Sequence, residues 1–296
     1  MVLGIGDDCA VLRIPPGEEL LVTTDFTIED VHFRRDWHPP ELVVRRCLTR
    51  GLSDIAAMGG APRAAFLSLA VASDVPQTWV RRFLKGLHDL ADEFQVPLAG
   101  GDTAQSPTGI QADIVIVGSV PRGKAVLRSG AKPGHRIYVT GELGGAAAAL
   151  ARLAESKPVA GEYSRQFHPL PRVEVGQWLR RRRVASAMID VSDGLSTDLE
   201  HICQESHVGA EIDAGAIPRA LGGKGGGPVA LDLALHGGDD YELLFTSASA
   251  VPANVAGVQV TRIGRITRSK GMRLIEADGK VQTLKARGWE HFKGNL

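Results

Sequence analysis

Apolar residues along this chain follow two spacings, and the alternation between them divides it into short strands and amphipathic helices. Residues 9–14 (CAVLRI) and 20–25 (LLVTTD) are β-branched or apolar runs separated by Pro15-Pro16-Gly17, which predicts two strands joined by a turn. Between Glu41 and Met58, Val44, Cys47, Leu48, Leu52 and Ile55 recur at helical spacing; Gly59-Gly60 and Pro62 end the stripe. Residues 64–72 (AAFLSLAVA) predict a buried strand. Pro76 opens a second helix with Trp79, Phe83, Leu87, Leu90 and Phe94 on one face. A short strand from Val96 to Ala99 runs into Gly100-Gly101-Asp102, and 110–120 (IQADIVIVGSV) predicts another.

The pattern restarts near Pro121-Arg122-Gly123-Lys124, which divides the chain into domains at 1–122 and 123–296. In the second part, strands are predicted at 136–140, 186–191, 241–246, 258–266 and 272–276. Helices are predicted at 146–154, 172–183 and 194–206, and 222–228 (GGKGGGP) reads as a flexible stretch. Strands mixed with helices in both halves give a two-domain α/β (α+β) fold. No short-period repeat is present, which argues against a solenoid or propeller.

Composition narrows the function classes. The chain has 296 residues, 44% of them apolar and 23% charged, as in ordinary globular proteins. Lys+Arg and Asp+Glu both number 34, so there is no basic excess to suggest a nucleic-acid or membrane-surface partner. Cys9, Cys47 and Cys203 are far apart and form no C-x-x-C pair, which suits a reducing compartment. The start lacks the basic and apolar regions of a signal peptide, and no apolar run approaches the roughly 18 residues of a membrane span. A soluble, cytoplasmic protein is expected.

The chemistry is carried by Asp beside Gly, Ser or Thr, recurring at predicted strand ends and turns. It occurs as Gly6-Asp7-Asp8, Thr23-Thr24-Asp25, Ser53-Asp54, Gly100-Gly101-Asp102-Thr103, Asp190-Val191-Ser192-Asp193-Gly194 and Gly237-Gly238-Asp239-Asp240. Mg²⁺ prefers carboxylate, hydroxyl and water oxygens and is usually shared with substrate phosphates. Adjacent glycines let backbone N–H groups approach phosphate oxygens. Each motif alone reads equally as a turn or a helix cap, and Asp193 could simply cap the helix that follows Gly194. Their repetition points to metal-assisted phosphate chemistry. Neither a P-loop nor a dinucleotide-binding fingerprint is present.

Taken in order, GIGDDCAVL (4–12), TTDFTIEDVHF (23–33), LSDIAAMGG (52–60), LAGGDT (98–103), RSGAKPG (128–134), VTGELGG (139–145), IDVSDGLSTDL (189–199) and GGDDYELLFT (237–246) resemble the thiamine-monophosphate kinase family. That family belongs to the aminoimidazole ribonucleotide synthetase-like superfamily. The resemblance implies ATP-dependent phosphorylation of thiamine monophosphate, two α/β domains, several Mg²⁺ ions and a homodimer built through the N-terminal sheets. It implies that Asp8, Thr23, Thr24, Asp25, Asp54, Asp102, Asp190 and Asp193 ligate metal. Of these, Asp102 and Asp193 are the positions closest to catalysis. Gly101, Asp102, Arg128 and Ser192 would meet ATP, and His32, Asp239 and Trp289 the thiamine side. Left to the residues alone, His32 reads equally as a packed or surface histidine, Trp289 as an anchor for the tail, and Arg128 as a surface residue.

Two departures from the family pattern stand out. The chain starts three residues ahead of the G-I-G-D-D motif, where the family carries a further segment. Position 239 is Asp where many relatives have Glu, one methylene shorter in reach. The competing enzyme reading is another ATP-dependent synthetase of the superfamily, of the aminoimidazole ribonucleotide or selenophosphate type. The latter needs a reactive cysteine near the start, whereas Cys9 reads as a small core residue in the first strand. A non-catalytic regulatory module would have lost acidic motifs, and all six are intact.

Overall fold

The helical stripe that begins near Glu41 forms one continuous helix, α1 (Pro40–Ala57), in the computed structural model of the chain. The structure describes residues 1–157, 159, 168–223 and 226–289. The chain divides into two units, one of Met1–Ile55 and Gly60–Ala125, the other of Ala56–Gly59 and Val126–Leu296.

In the first unit a four-stranded sheet runs in the order β1 (Glu18–Ile28), β4 (Ile110–Pro121), β2 (Ala61–Ala72), β3 (Leu98–Ser106). β4 is antiparallel to both neighbours, while β2 and β3 are parallel and joined through helix α2 (Gln77–Glu93). Every second residue of β4 from Ile110 to Ile116 is buried, as a sheet covered on one face requires. α1 lies on that face, where a Cβ on Gly51 would fall 2.5 Å from Ile116 Cγ1. α2 buries Phe83, Leu87 and Leu90, and Trp79 stacks on Phe83 with ring centroids 5.3 Å apart. Burial of each such side chain contributes about 1.5–3 kcal/mol.

The second unit holds an eight-stranded sheet whose main path is β12 (Val281–Leu284), β11 (Gly271–Ile275), β7 (Gly209–Asp213), β10 (Val258–Thr267), β5 (Arg136–Thr140), β8 (Leu243–Ser247), β6 (Ala187–Asp190). β9 (Asn254–Val255) pairs off this path with β10. Helices α3 (Gly145–Ala154), α4 (Val173–Arg181), α5 (Leu195–Glu205) and α6 (Leu231–His236) accompany it. Leu195, Leu199 and Ile202 of α5 join Val139, Ile189, Ile212 and Ile263 in one buried cluster. No helix among the described residues is long and apolar enough to cross a membrane.

Several expectations are corrected. Residues 9–14 form no strand; the opening segment makes isolated bridges such as Leu3 to Val11, and Cys9 is exposed rather than in a core. The strand expected to stop at Ala99 continues as β3 to Ser106, because parallel pairing with β2 carries it through Gly101 and Asp102. Strand β7 (GAEID) has weak strand formers and exists because β10 and β11 pair it on both sides. Lys224 and Gly225 of the expected flexible stretch lie outside the described residues. Arg180, in the last turn of α4, donates through Nε to the Gly59 carbonyl at 2.7 Å.

Candidate active site

The acidic motifs do not sit alike. Asp190 ends a strand, but Asp25 and Asp102 lie within strands, Asp54 lies in α1, and Asp193 and Asp239 lie in irregular loops. In the first unit they form two groups on opposite edges of the sheet.

On the helix-covered face, Thr23 and Asp25 of β1 face Asp54 and Arg50 of α1. Thr23 Oγ1 donates to Asp54 Oδ2, and Arg50 Nε lies 3.4 Å from Asp25 Oδ1. Burial raises the Asp25 carboxyl to about 6; Arg50 opposes that rise, and the Asp54 and Asp113 charges add to it. Two carboxylates and a hydroxyl thus converge where water is scarce, the environment in which a hard cation offsets repulsion. Thr24 points to the other face of β1 and is exposed, since side chains alternate along a strand.

At the far edge, Asp8, Gly101 and Asp102 line a cavity of about 640 Å³ together with Asp7, Phe66 and Leu84. Asp102 is exposed, and its Oδ1 accepts the Thr103 amide at 2.8 Å; Asp7 does the same for the Asp8 amide at 2.9 Å. Gly101 has φ +148° and lies against β2, where a Cβ would fall 1.9 Å from the Leu67 carbonyl oxygen. The register aligns Asp25 with Ile114, Leu67 and Gly101 across the sheet. Three strand spacings, about 14 Å, therefore separate the two acidic edges. His32 lies beyond β1, where its Nδ1 accepts the Ile28 amide at 3.0 Å.

In the second unit the motif at 190–194 and the motif at 237–240 are laced together. Asp239 N donates to Ser192 O at 2.9 Å, Tyr241 N to Val191 O at 2.9 Å, and Trp289 N to Asp193 O at 3.1 Å. The Asp239 carboxylate accepts the Tyr241 hydroxyl at 2.7 Å, in a loop where Asp239 adopts φ +65°. Asp193 does not cap α5. No side chain caps that helix; Asp198 of its first turn reaches back instead, its Oδ2 accepting Asp193 N at 3.3 Å and Gly194 N at 3.1 Å. Burial, and then the charges of Asp190 and Asp193, raise the Asp198 carboxyl well above its ordinary range. The spacing of the motifs does not single out Asp198, although an Asp inside the helix that follows an acidic motif is a legible signal. Asp240 is fully buried and accepts the Gly144 amide at 2.8 Å.

Arg128 stands apart from this cluster. It is exposed, and its carbonyl accepts Ser206 Oγ at 3.2 Å beyond the far end of α5, about 16 Å of helix away from Asp193. Trp289 is about half exposed, and its backbone amide donates to the Asp193 carbonyl.

No group of three His, Cys, Asp or Glu among the described residues is disposed to hold a metal ion. The sets present are smaller: Asp25 and Asp54 with Thr23, and the pair Asp190 and Asp193, whose charges act on Asp198. All offer hard oxygen donors, and Mg²⁺ is usually held by one or two carboxylates with water and substrate phosphates completing the shell. The donor chemistry fits that ion.

Comparison with known proteins places these features in a family. Residues 6–120 match the family model for AIR synthase related protein, N-terminal domain, and residues 132–276 its C-terminal domain. Thiamine-monophosphate kinase from Escherichia coli K12 is 41% identical, with 98% of this chain and 92% of that protein aligned. The crystal structure of thiamine-monophosphate kinase from Stenotrophomonas maltophilia K279a superposes with a TM-score of 0.84 at 35% identity, covering 94% of this chain and 91% of that one. AaThiL complexed with AMPPCP and TMP superposes at 0.82 with 32% identity, covering 97% and 92%.

Proposed function

Since the chain belongs to the thiamine-monophosphate kinase family, we propose that it moves the terminal phosphoryl group of ATP directly onto thiamine monophosphate with the help of Mg²⁺. The observation that carries the reading is the pairing of two acidic motif sets, at Thr23, Asp25 and Asp54 and at Asp190, Asp193 and Asp198, with relatives of this one activity over 98% of the chain. AaThiL, at 32% identity, was captured with AMPPCP and TMP, which supports ATP and thiamine monophosphate as the substrates here.

Asp8, Thr23, Asp25, Asp54, Asp102, Asp190 and Asp193 would hold Mg²⁺ directly or through water, whereas the Thr24 side chain lies on the other face of β1 and stays outside that set. Bound there, the ion neutralises phosphate charge, which is most of what phosphoryl transfer needs. Gly101, Asp102, Arg128 and Ser192 serve ATP; the missing side chain of Gly101 lets β3 lie against β2, where Gly101 and Asp102 line the cavity. His32, Asp239 and Trp289 serve the thiamine portion. Tyr241 holds the Asp239 carboxylate, so its contact with the acceptor can run through water. The acceptor oxygen is already deprotonated near neutral pH. It attacks the terminal phosphorus in line, the bond to the ADP oxygen breaks, and neither a strong base nor a phosphoenzyme is required.

The active protein is a cytoplasmic homodimer in this reading. Leu20, Val22 and Phe26 form an exposed apolar row on the open face of β1, which supports a second copy as its cover.

ADP release coupled to thiamine monophosphate, thiamine or aminoimidazole precursors, with and without Mg²⁺, tests the function. Turnover confined to thiamine monophosphate and dependent on Mg²⁺ is expected; turnover on another acceptor alone overturns it. Asp102→Asn is expected to abolish turnover without unfolding the protein.

A further inference from the structure

The end of the described chain, from Lys285 to Trp289, crosses the first turn of α5 as a strap. Three successive strap amides donate to that turn. Arg287 N reaches Ser196 Oγ at 3.4 Å, Gly288 N reaches Thr197 Oγ1 at 3.0 Å, and Trp289 N reaches the Asp193 carbonyl at 3.1 Å. The Arg287 side chain fastens the strap from the side, with Nη2 2.9 Å from Asp232 Oδ1 and 2.7 Å from His236 Nε2. His236 Nδ1 lies 2.7 Å from Ser196 Oγ, so the same hydroxyl meets both the strap and the imidazole.

Asp193 is consequently held through both of its backbone groups. Its amide is accepted by Asp198 within the helix, and its carbonyl is met by the Trp289 amide of the strap. Fixing the two peptide groups around a residue fixes where its side chain starts. Gly288 is what lets the strap lie so close: a Cβ there would fall 2.1 Å from the Asp193 carbonyl oxygen and 2.5 Å from Thr197 Oγ1. The first obstacle is backbone, which no rotamer change relieves. The hydroxyls of Ser196 and Thr197, which the acidic motif alone leaves without a task, receive the strap.

We propose that Gly288 is a positioning residue for phosphoryl transfer, acting through Asp193, with Thr197 as its receiving hydroxyl. The strap also carries Trp289, so it ties the metal side of the site to the thiamine side. Simple anchoring of a tail would need neither a glycine at 288 nor a bond to this particular carbonyl. The proposal rests on the assignment of Asp193 to Mg²⁺ made above.

The test uses the full chain and the variants Gly288→Ala, Thr197→Val, Thr197→Ser and Asp193→Asn. Melting temperature, kcat, KM for each substrate and the Mg²⁺ concentration for half-maximal rate are measured for each. Gly288→Ala is expected to lower kcat by about 100-fold, the effect of misplacing a reacting group by about 1 Å, and to raise the Mg²⁺ requirement. Thr197→Val is expected to lose roughly tenfold in kcat, as for one lost hydrogen bond. Thr197→Ser restores the parent value, since it keeps the acceptor. Should Gly288→Ala fail to fold, the Thr197 pair decides alone. A lower melting temperature with kcat, KM and Mg²⁺ requirement unchanged means a purely structural strap and overturns the proposal, as does an equal loss in Thr197→Val and Thr197→Ser. Full activity in Asp193→Asn overturns the metal assignment and this proposal with it. An inactive Asp193→Asn beside a normal Gly288→Ala and Thr197→Val overturns the strap's role alone.

Discussion

Arg172 grips Glu242 with both prongs of its guanidinium, Nε 2.6 Å from Oε2 and Nη2 2.7 Å from Oε1, around a carboxylate with no exposed surface. Thr140 Oγ1 donates to the same carboxylate at 2.6 Å. Glu242 also anchors the acidic loops, since its carbonyl accepts the Val191 amide at 2.7 Å. Arg172→Ala would strand a buried charge, and a loss of about 3–5 kcal/mol in unfolding free energy is expected. Arg172→Lys keeps the charge without the fork and falls between. Urea titration of the three proteins measures this; a change below about 0.5 kcal/mol in Arg172→Ala, the ordinary range for surface positions, refutes the role.

Gly101 sits where β2 and β3 touch. Gly101→Ala is expected to lower stability by more than 1 kcal/mol, in round terms about 2, because neither the φ of +148° nor the gap to Leu67 admits a Cβ. The KM for ATP should rise with it. Gly17→Ala is the control: its φ is +80° but nothing lies within 4 Å of the added carbon. Equal melting temperatures for the two variants would show that the close approach at Gly101 costs nothing.

The half-buried Asp25 makes stability depend on pH when no divalent cation is present. Its carboxyl titrates at about 6 in the folded state against an ordinary 3.8, so the folded protein binds that proton more tightly than the unfolded chain. The contribution is complete below about pH 4 and disappears as pH rises through 6, by about 2–3 kcal/mol at most. Asp25→Asn should flatten this dependence and stabilise the cation-free protein at pH 8, while lowering turnover at least tenfold. Added Mg²⁺ should raise the melting temperature more at pH 8 than at pH 5. Identical pH profiles for parent and Asp25→Asn in cation-free buffer would contradict this account.

Phe26 lies on the open side of β1 and is 56% exposed, in a row with Leu20 and Val22. Phe26→Asp is expected to shift sedimentation from dimer to monomer while leaving the far-ultraviolet spectrum unchanged. A parent protein that sediments as a monomer at micromolar concentration removes the basis for the second copy.

Much of this architecture was legible along the chain. α1 and α2 are long enough for their periodicity to be unambiguous, and β5 (RIYVT) matches its predicted span to the residue. β7 was not legible, because its Gly, Ala, Glu and Asp become a strand only between two partners. α6 spans six residues, too short for a period to show. The acidic motifs were visible as chemistry, yet their grouping was not. Thr23 meets Asp54 across 31 positions, and Asp25 and Gly101 share a row from opposite edges. Both facts depend on strand order, which local spacing does not encode. The role of Asp198 likewise appears only once the helix has formed beneath Asp193.

The uninterrupted pairing of β1 with β4, from Glu18 opposite Pro121 to Ile28 opposite Gln111, has a bearing on how the enzyme is made. A slip of one residue would exchange the two faces of β1, turning Asp25 out to solvent and driving Phe26 in beneath α1. Assembly of the sheet and assembly of its acidic face are thus a single event. A misaligned chain would lose the face that Thr23 and Asp25 present to Asp54 and Arg50, so the fidelity of one strand register guards the whole group.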